Sequence, residues 1–349
     1  VANSKVVLLT GSQGFIGSYV CGELLSAGYK VIGVDDYSKY GPVVKPHDHH
    51  PGFRLIKANC SLESFKEAFV SGSEKNQHLD YVIAGAAKIG GIAYFHKHAY
   101  DLIAANERIV ANTFDIALDR FRKNQLDRIV VISSSMVYEN ATIWPTPEGH
   151  ELQCPPPAST YGFEKLATEF FAKGAFEQYG LPFTIIRPFN CIGVGEDEAI
   201  GEDEMLSGNV KMLMSHVVPD LVHKCLEGQD PLHILGTGNQ IRHFTNGKDI
   251  ARGIRMALES KAALNQDFNI AIAKSTTILK LAELIWRKTN DGKPFRWVSD
   301  PSFKYDVQKR IPATSKAKDL LGFEAQIGLS ESLDEVIEWM RKRGSHKLE

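Results

Sequence analysis

The sequence predicts an α/β protein built on a doubly wound parallel sheet, with a smaller, discontinuous second domain in its C-terminal half. Three observations carry that reading. Short apolar runs recur at residues 6–9, 31–34, 81–84, 128–132 and 183–186, separated by helix-length segments, and strands that alternate with helices form parallel sheets. The first run leads into a glycine-bearing turn, Thr10-Gly11-Ser12-Gln13-Gly14-Phe15-Ile16-Gly17. After Asn190 the pattern changes, and residues 191–208 become acidic and glycine-containing, as expected of a loop.

Each element follows in order. Residues 6–9 form the first strand. Ile16, Val20, Leu24 and Leu25 then share one helical face, and Gly28 stops the helix. Residues 31–34 make the second buried strand. The stretches 41–52 and 145–157 are rich in Pro, Gly and His and read as loops. Residues 211–227 read as a helix, and 232–235 as a strand leading into Gly236-Thr237-Gly238. A helix at 249–258 and a strand at 268–272 are expected to rejoin the sheet, with further helices at 278–288 and 329–341. The expected division is therefore 1–189 plus 244–273 for the sheet domain, and 190–243 plus 274–349 for the second.

Composition narrows the function. The 349 residues correspond to about two domains at roughly 150 residues each. A hydrophobic share of 43% and a charged share of 23% are those of a globular protein. The net charge of −2 favours neither nucleic acid nor a membrane surface as partner. No apolar run approaches the ~20 residues that span a bilayer, and the first residues lack signal-peptide anatomy. Five dispersed cysteines, with no C-x-x-C spacing, read as free thiols of a reducing cytoplasm.

In Gly11-x-x-Gly14-x-x-Gly17 each glycine has its own physical role. The first makes the tight turn, the second lets a pyrophosphate approach, and the third allows close helix–strand packing. The helix that follows offers unpaired N–H groups and a positive dipole end. With a strand before it and a helix after it, the run reads as a dinucleotide-binding loop, the alternative being a tight turn without a ligand. Asp35, ending the second strand, is placed to accept hydrogen bonds from the adenosine ribose and to repel a 2′-phosphate, which favours NAD over NADP. Asp36 beside it belongs to the same strand end and also reads as a turn cap.

Tyr161 and Lys165 stand four apart, on one helix face. A phenol with a pKa of about 10 is a poor base at neutral pH, but a neighbouring ammonium stabilises the phenolate. Such a tyrosine accepts an alcohol proton as hydride leaves the same carbon. Ser134, at the end of the 128–132 strand, is placed to bond the same oxygen, because ligands of open α/β sheets bind at strand carboxyl ends.

These features, with Gly85-Ala86-Ala87-Lys88-Ile89-Gly90-Gly91-Ile92, Val137-Tyr138, Arg187-Pro188-Phe189-Asn190, Ser215-His216-Val217-Val218-Pro219 and Thr314-Ser315-Lys316-Ala317, make the chain resemble the extended short-chain dehydrogenase/reductase family over nearly its whole length. Within that family it resembles the nucleotide-sugar epimerases and dehydratases. The resemblance implies that Gly11, Gly14, Phe15, Ile16 and Gly17 line the pyrophosphate, that Ala86 and Lys88 lie along the cofactor, and that Asn106 positions the lysine. It places Pro188 at the nicotinamide end, Asn190 at the sugar-nucleotide diphosphate, Ser135 and His216 at the substrate, and Arg242 and Arg310 as a diphosphate clamp. It also implies pairing into a homodimer through two helices beside the sheet.

The subfamily follows from departures. Local segments are similar to GDP-mannose 3,5-epimerase and GDP-fucose synthase, and His216 matches the acid histidine of the latter. Those enzymes carry a cysteine where this chain has Met136, which holds no exchangeable proton. Related dehydratases place Asp-Glu at 135–136 and related decarboxylases a glutamate at 136, where this chain has Ser135 and Met136. Hydride chemistry remains. The expectation is C4 epimerisation of a nucleotide-diphosphate sugar through a transient 4-keto sugar, with Ser134, Tyr161 and Lys165 catalytic and NAD as cofactor. The alternatives are a 4-ketoreductase or 4-dehydrogenase, then a 3,5-epimerase or a non-catalytic dinucleotide-binding protein. The cluster His47-Asp48-His49-His50 has no spacing suited to a metal and reads as a solvated loop.

Overall fold

The computed structural model describes residues 4–89, 98–196, 206–211, 216–302 and 306–346. Seven strands form the central sheet: β1 (Val6–Thr10), β2 (Lys30–Asp35), β3 (Phe53–Lys57), β4 (Tyr81–Ala84), β5 (Arg128–Ile132), β6 (Phe183–Pro188) and β7 (Gln266–Ile270), in spatial order β7-β6-β5-β4-β1-β2-β3. Every neighbouring pair is parallel. The order reverses between β1 and β4, so their carboxyl ends open a crevice at that switch point.

Both faces of the sheet are covered, which explains why its inner strands read as continuous apolar runs. Val7 and Leu9 point to the face packed by α1 (Phe15–Ser26) and the helix Gly247–Glu259, whereas Leu8 points to the face packed by α2 (Glu63–Val70), α3 (Ala99–Arg122) and α4 (Thr160–Tyr179). All three are fully buried, and each contributes roughly 1.5–3 kcal/mol of apolar transfer. A third core gathers Leu221, Val222, Leu281, Ile285, Trp286 and Val336 from the helices Val217–Leu226, Ile278–Thr289 and Leu329–His346.

The expected strands and helices around β1, α1, β2, β4, β5 and β6 are present, and β7 with the helix Gly247–Glu259 joins the sheet as foreseen. Other readings are corrected. The helix expected over 211–227 begins at Val217, because Val210–Lys211 pairs with Leu206–Ser207 as a short hairpin. The loop expected over 191–208 opens with a strand, Cys191–Ile192, parallel to Thr245–Asn246. Residues Gly90, Gly91, Ile92 and Ser215 lie outside the described residues. β3 gave no apolar signal because it is an edge strand: Arg54 faces outward and pairs bidentately with Glu74 at 3.0 and 2.7 Å. The segment 47–50 is only partly the solvated loop expected: His49 and His50 are exposed, but His47 is not. The His47 ring is buried against Phe53, with centroids 4.7 Å apart, and Asp48 accepts a 2.8 Å bond from the Gln13 side chain.

Candidate active site

One cleft of about 320 Å³ runs along the carboxyl ends of the strands. Its floor is the glycine loop. Gly11 has φ +76°, and a Cβ there meets the Ala86 backbone at 2.8 Å. A Cβ on Gly17 stands 1.9 Å from the Gly11 carbonyl oxygen, so only glycine lets α1 pass this close to the turn. Gly14 caps α1 without a side-chain acceptor, leaving the first-turn N–H groups to an anion. The backbone N–H groups of Gly85 and Ala86 both donate to Thr10 Oγ1 at 3.1 Å, fixing the opposite wall.

Asp35 lies at the end of β2, where its carboxylate accepts from the backbone of Gln13 at 3.0 Å and of Tyr37 at 2.8 Å. Burial pushes its carboxyl above the ordinary value, and those two bonds work against the rise. It therefore braces the glycine loop from the cofactor side. Asp36 also lines the cleft, with its carboxylate engaged by the Ser38 N–H at 2.9 Å in a turn. This cradle of glycines, an uncapped helix start and a strand-end aspartate fits a dinucleotide.

The serine run after β5 divides its labour. Ser133 turns into the core and donates to Glu169 at 2.6 Å. Ser134 starts a 3₁₀ turn by accepting from Met136 N at 3.1 Å, and its hydroxyl shares the cleft with the Tyr161 phenol. Ser135 is buried on the cleft wall. Tyr161 lies in the first turn of α4, whose start is capped by Ser159 accepting from Gly162 N at 3.1 Å. Burial raises the Tyr161 phenol; Ser134 opposes this, Glu164 adds to it, and Arg310 opposes it again. Lys165 donates to the Ile132 carbonyl at 3.1 Å, and its ammonium stands 5.9 Å from the centroid of the Tyr161 ring. Burial lowers its pKa, and Glu164 and Glu169 act the other way.

Ala86, Lys88, Pro188, Asn190, His216 and Arg310 all line this cleft. Two expected residues do not. Asn106 is buried behind the wall, where it clamps the backbone of Lys88 through 2.7 and 3.0 Å bonds and acts to lower the Glu164 carboxyl. It thus positions residue 88 and acts on the neighbour of Lys165, not on the lysine itself. Arg242 is buried beside Arg310, near Asp306 at 3.5 Å; burial, then the Arg310 charge, pushes its guanidinium down to about 9. The Asn190 backbone has φ +33°, and its side-chain oxygen is buried without a hydrogen-bond partner among the described residues.

Sequence reading missed four groups. Glu196 is buried and holds His216 through its backbone N–H at 3.2 Å and a short contact to Nδ1. Glu164, one residue before the lysine, is buried, which raises its carboxyl to about 7. Asp306 faces both arginines. Arg187 is a hub behind the serines, bonding Glu169 at 2.8 and 2.7 Å, Tyr138 at 2.6 Å and Asp267 at 2.6 Å. Only Arg187 had a signal, a cation inside an apolar strand. Among the described residues no group of three His, Cys, Asp or Glu side chains is placed to hold a metal, and no helix is long and apolar enough to cross a membrane.

A dinucleotide cradle joined to a Ser–Tyr–Lys set in one cleft defines a hydride-transfer enzyme of the extended short-chain type. Comparison with known proteins agrees. The model of the NAD dependent epimerase/dehydratase family matches residues 7–271, and the chain belongs to that family. It is an NAD-dependent enzyme of the nucleotide-sugar group. A putative UDP-glucose 4-epimerase of Methanocaldococcus jannaschii is 28% identical, covering 96% of this chain and 98% of that protein. A probable GDP-L-fucose synthase of rice, Oryza sativa subsp. japonica, is 25% identical over 95% of this chain and 91% of its own. The crystal structure of UDP-glucose 4-epimerase from Thermotoga maritima with UDP-glucose is 28% identical, with a TM-score of 0.79, and covers 97% of this chain and 99% of that one.

Proposed function

We propose that the protein is a nucleotide-sugar 4-epimerase, with a UDP-hexose as the first substrate to test. The observation that carries this reading is that Ser134, Tyr161 and Lys165 share one cleft, with the lysine ammonium over the tyrosine ring, where position 136 is a methionine. Bound NAD supplies reversible hydride acceptance at C4. Tyr161 removes the C4 hydroxyl proton and later returns it. Ser134 holds the oxygen, and Lys165 favours the phenolate. Arg310 and Asn190 face the diphosphate, with Arg242 supporting Arg310; the two guanidiniums share carboxylates that other donors already engage, which leaves positive charge suited to it. The proposed division of labour follows the sheet domain (1–189 plus 244–273) for cofactor and the remainder (190–243 plus 274–349) for the sugar nucleotide.

The test is turnover of UDP-glucose or UDP-N-acetylglucosamine without added cofactor, followed by NMR at C4. The expected result is a mixture of C4 epimers, and a folded Tyr161→Phe variant that loses about 10²–10⁴-fold in rate. Retained activity in that variant refutes the assignment. The Glu196–His216 pair and the GDP-L-fucose synthase relative favour a second reading, proton exchange next to a 4-keto group; deuterium uptake from D₂O at C3 or C5 distinguishes it. Net consumption of added NAD or NADH identifies an oxidoreductase instead.

We further infer a homodimer formed through α4. Phe163 and Phe170 lie seven apart on that helix and are 48% and 55% exposed, a contiguous apolar stripe with Ala167. Five free cysteines are consistent with a reducing, cytoplasmic location.

A further inference from the structure

We propose that Arg310 is a catalytic residue in addition to binding the diphosphate: its guanidinium stabilises the Tyr161 phenolate, so the strength of the base responds to the charge at the diphosphate end of the cleft. This rests on the reading of Tyr161 as the proton acceptor.

Arg310 enters the cleft from the C-terminal segment, with its backbone N–H pinned to Ile241 O at 3.2 Å. Its side chain shares the cleft with Ser134, Met136 and Tyr161. Its Nε is buried and has no hydrogen-bond partner among the described residues, a cost normally met by an acceptor. Of the two carboxylates that act on it, Glu139 is engaged by the Ser159 hydroxyl at 2.6 Å, and Asp306 is divided. It accepts from Gln240 at 2.6 Å and faces Arg242 at 3.5 Å. Two cations therefore share carboxylates that other donors already engage, and positive charge is left beside Tyr161. Lys165, by contrast, has its ammonium fastened to the Ile132 carbonyl.

The charged and titratable groups around the phenol come from every wall. Glu164 and Lys165 belong to its own helix, and Glu139 to the turn after Ser134. Arg310 and Asp306 come from the C-terminal segment, and Lys88 and His216 from the opposite sides of the cleft. Of these charged groups, Arg310 is the one that favours the phenolate most, and the attraction is mutual. When the phenolate oxygen takes the proton from the substrate hydroxyl, Arg310 keeps all of its own protons. A diphosphate entering the cleft competes for the same guanidinium. Its arrival raises the Tyr161 pKa, and at alkaline pH binding takes up a proton.

The experiment is an ultraviolet phenolate titration of the NAD-loaded protein over roughly pH 6 to 11. Subtracting the same titration of Tyr161→Phe isolates Tyr161 from the other tyrosines, of the 11 in the chain. Arg310→Gln is expected to move the Tyr161 transition up by about one pH unit, tenfold less phenolate at a given pH. Arg310→Lys keeps the charge and most of the position. Asp306→Asn, which releases the guanidinium from its carboxylate, moves the transition down. UDP moves it up in the natural protein and leaves it in place in Arg310→Gln. A transition that superimposes in Arg310→Gln and the natural protein, with only UDP affinity reduced, overturns the proposal. If Arg310→Gln fails to fold, Asp306→Asn decides: an unchanged or raised transition overturns it. No turnover is needed, so the titration is readable even if the sugar is misassigned, whereas an active Tyr161→Phe enzyme removes the functional reading itself.

Discussion

Replacing Arg187 with methionine tests the idea that the active-site serines are held from behind. Arg187 is fully buried on β6, and its five N–H donors meet Glu169 twice, Tyr138, Asp267 and, at 3.0 Å, Glu151. Glu169 in turn accepts from Ser133 at 2.6 Å. Methionine fills much of the volume but takes the guanidinium from three carboxylates, leaving Glu169 with Ser133, Asp267 with Lys316 and Glu151 with Lys173. Removing one partner of a buried ion pair costs about 3–5 kcal/mol, because the uncompensated charge remains. Equilibrium urea unfolding at pH 8 is expected to show a loss of that size. The loss shrinks towards pH 5, since the carboxylates left without the guanidinium are then able to take up protons. In the natural protein the sign is opposite. Burial raises the Asp267 carboxyl, but Arg187 and Lys316 more than offset this and hold it below the ordinary carboxylate value. Its contribution is present above the unfolded pKa and is lost only as pH falls through the lower folded one. A loss under 1 kcal/mol, or one that is flat between pH 5 and 8, refutes the reasoning.

Three further outcomes are expected. Gly17→Ala forces a Cβ against the Gly11 carbonyl oxygen, 1.9 Å away; dinucleotide affinity, read by calorimetry on stripped protein, falls at least about tenfold, or roughly 1.4 kcal/mol, and unchanged affinity contradicts the role given to the loop. Glu164→Gln removes a buried carboxyl whose folded pKa is raised to about 7 from 4.5; that group makes the natural protein less stable as pH rises from 4.5 to about 7. The variant gains relative to the natural protein by up to about 3 kcal/mol at pH 8 and not at pH 4, and a pH-independent difference in thermal melting argues against it. Phe163→Glu with Phe170→Glu places charge on the exposed stripe of α4; sedimentation is expected to give a monomer, and a persisting dimer places the interface elsewhere.

Much of the fold was legible in the sequence, and for local reasons. A strand buried on both faces must be apolar throughout, so β1, β2, β5 and β6 announce themselves, and a helix crossing a turn as closely as α1 crosses Gly11 requires glycine there. The spacing of Tyr161 and Lys165 is likewise local, because helix periodicity alone brings i and i+4 to one face. What the sequence by itself determined about this protein is therefore the inner strands of the sheet, the glycine loop and the placing of Tyr161 and Lys165 on one helix face. The tertiary structure decided their partners. Asn106 serves Lys88 and Glu164, Glu196 holds His216, Ser133 is bound by Glu169, and Arg310 stands by Tyr161 from the far end of the chain. Each of these pairings joins residues with no local pattern linking them. Their charges matter only because folding excludes water around them, and burial strengthens an interaction that an extended chain in solvent would screen.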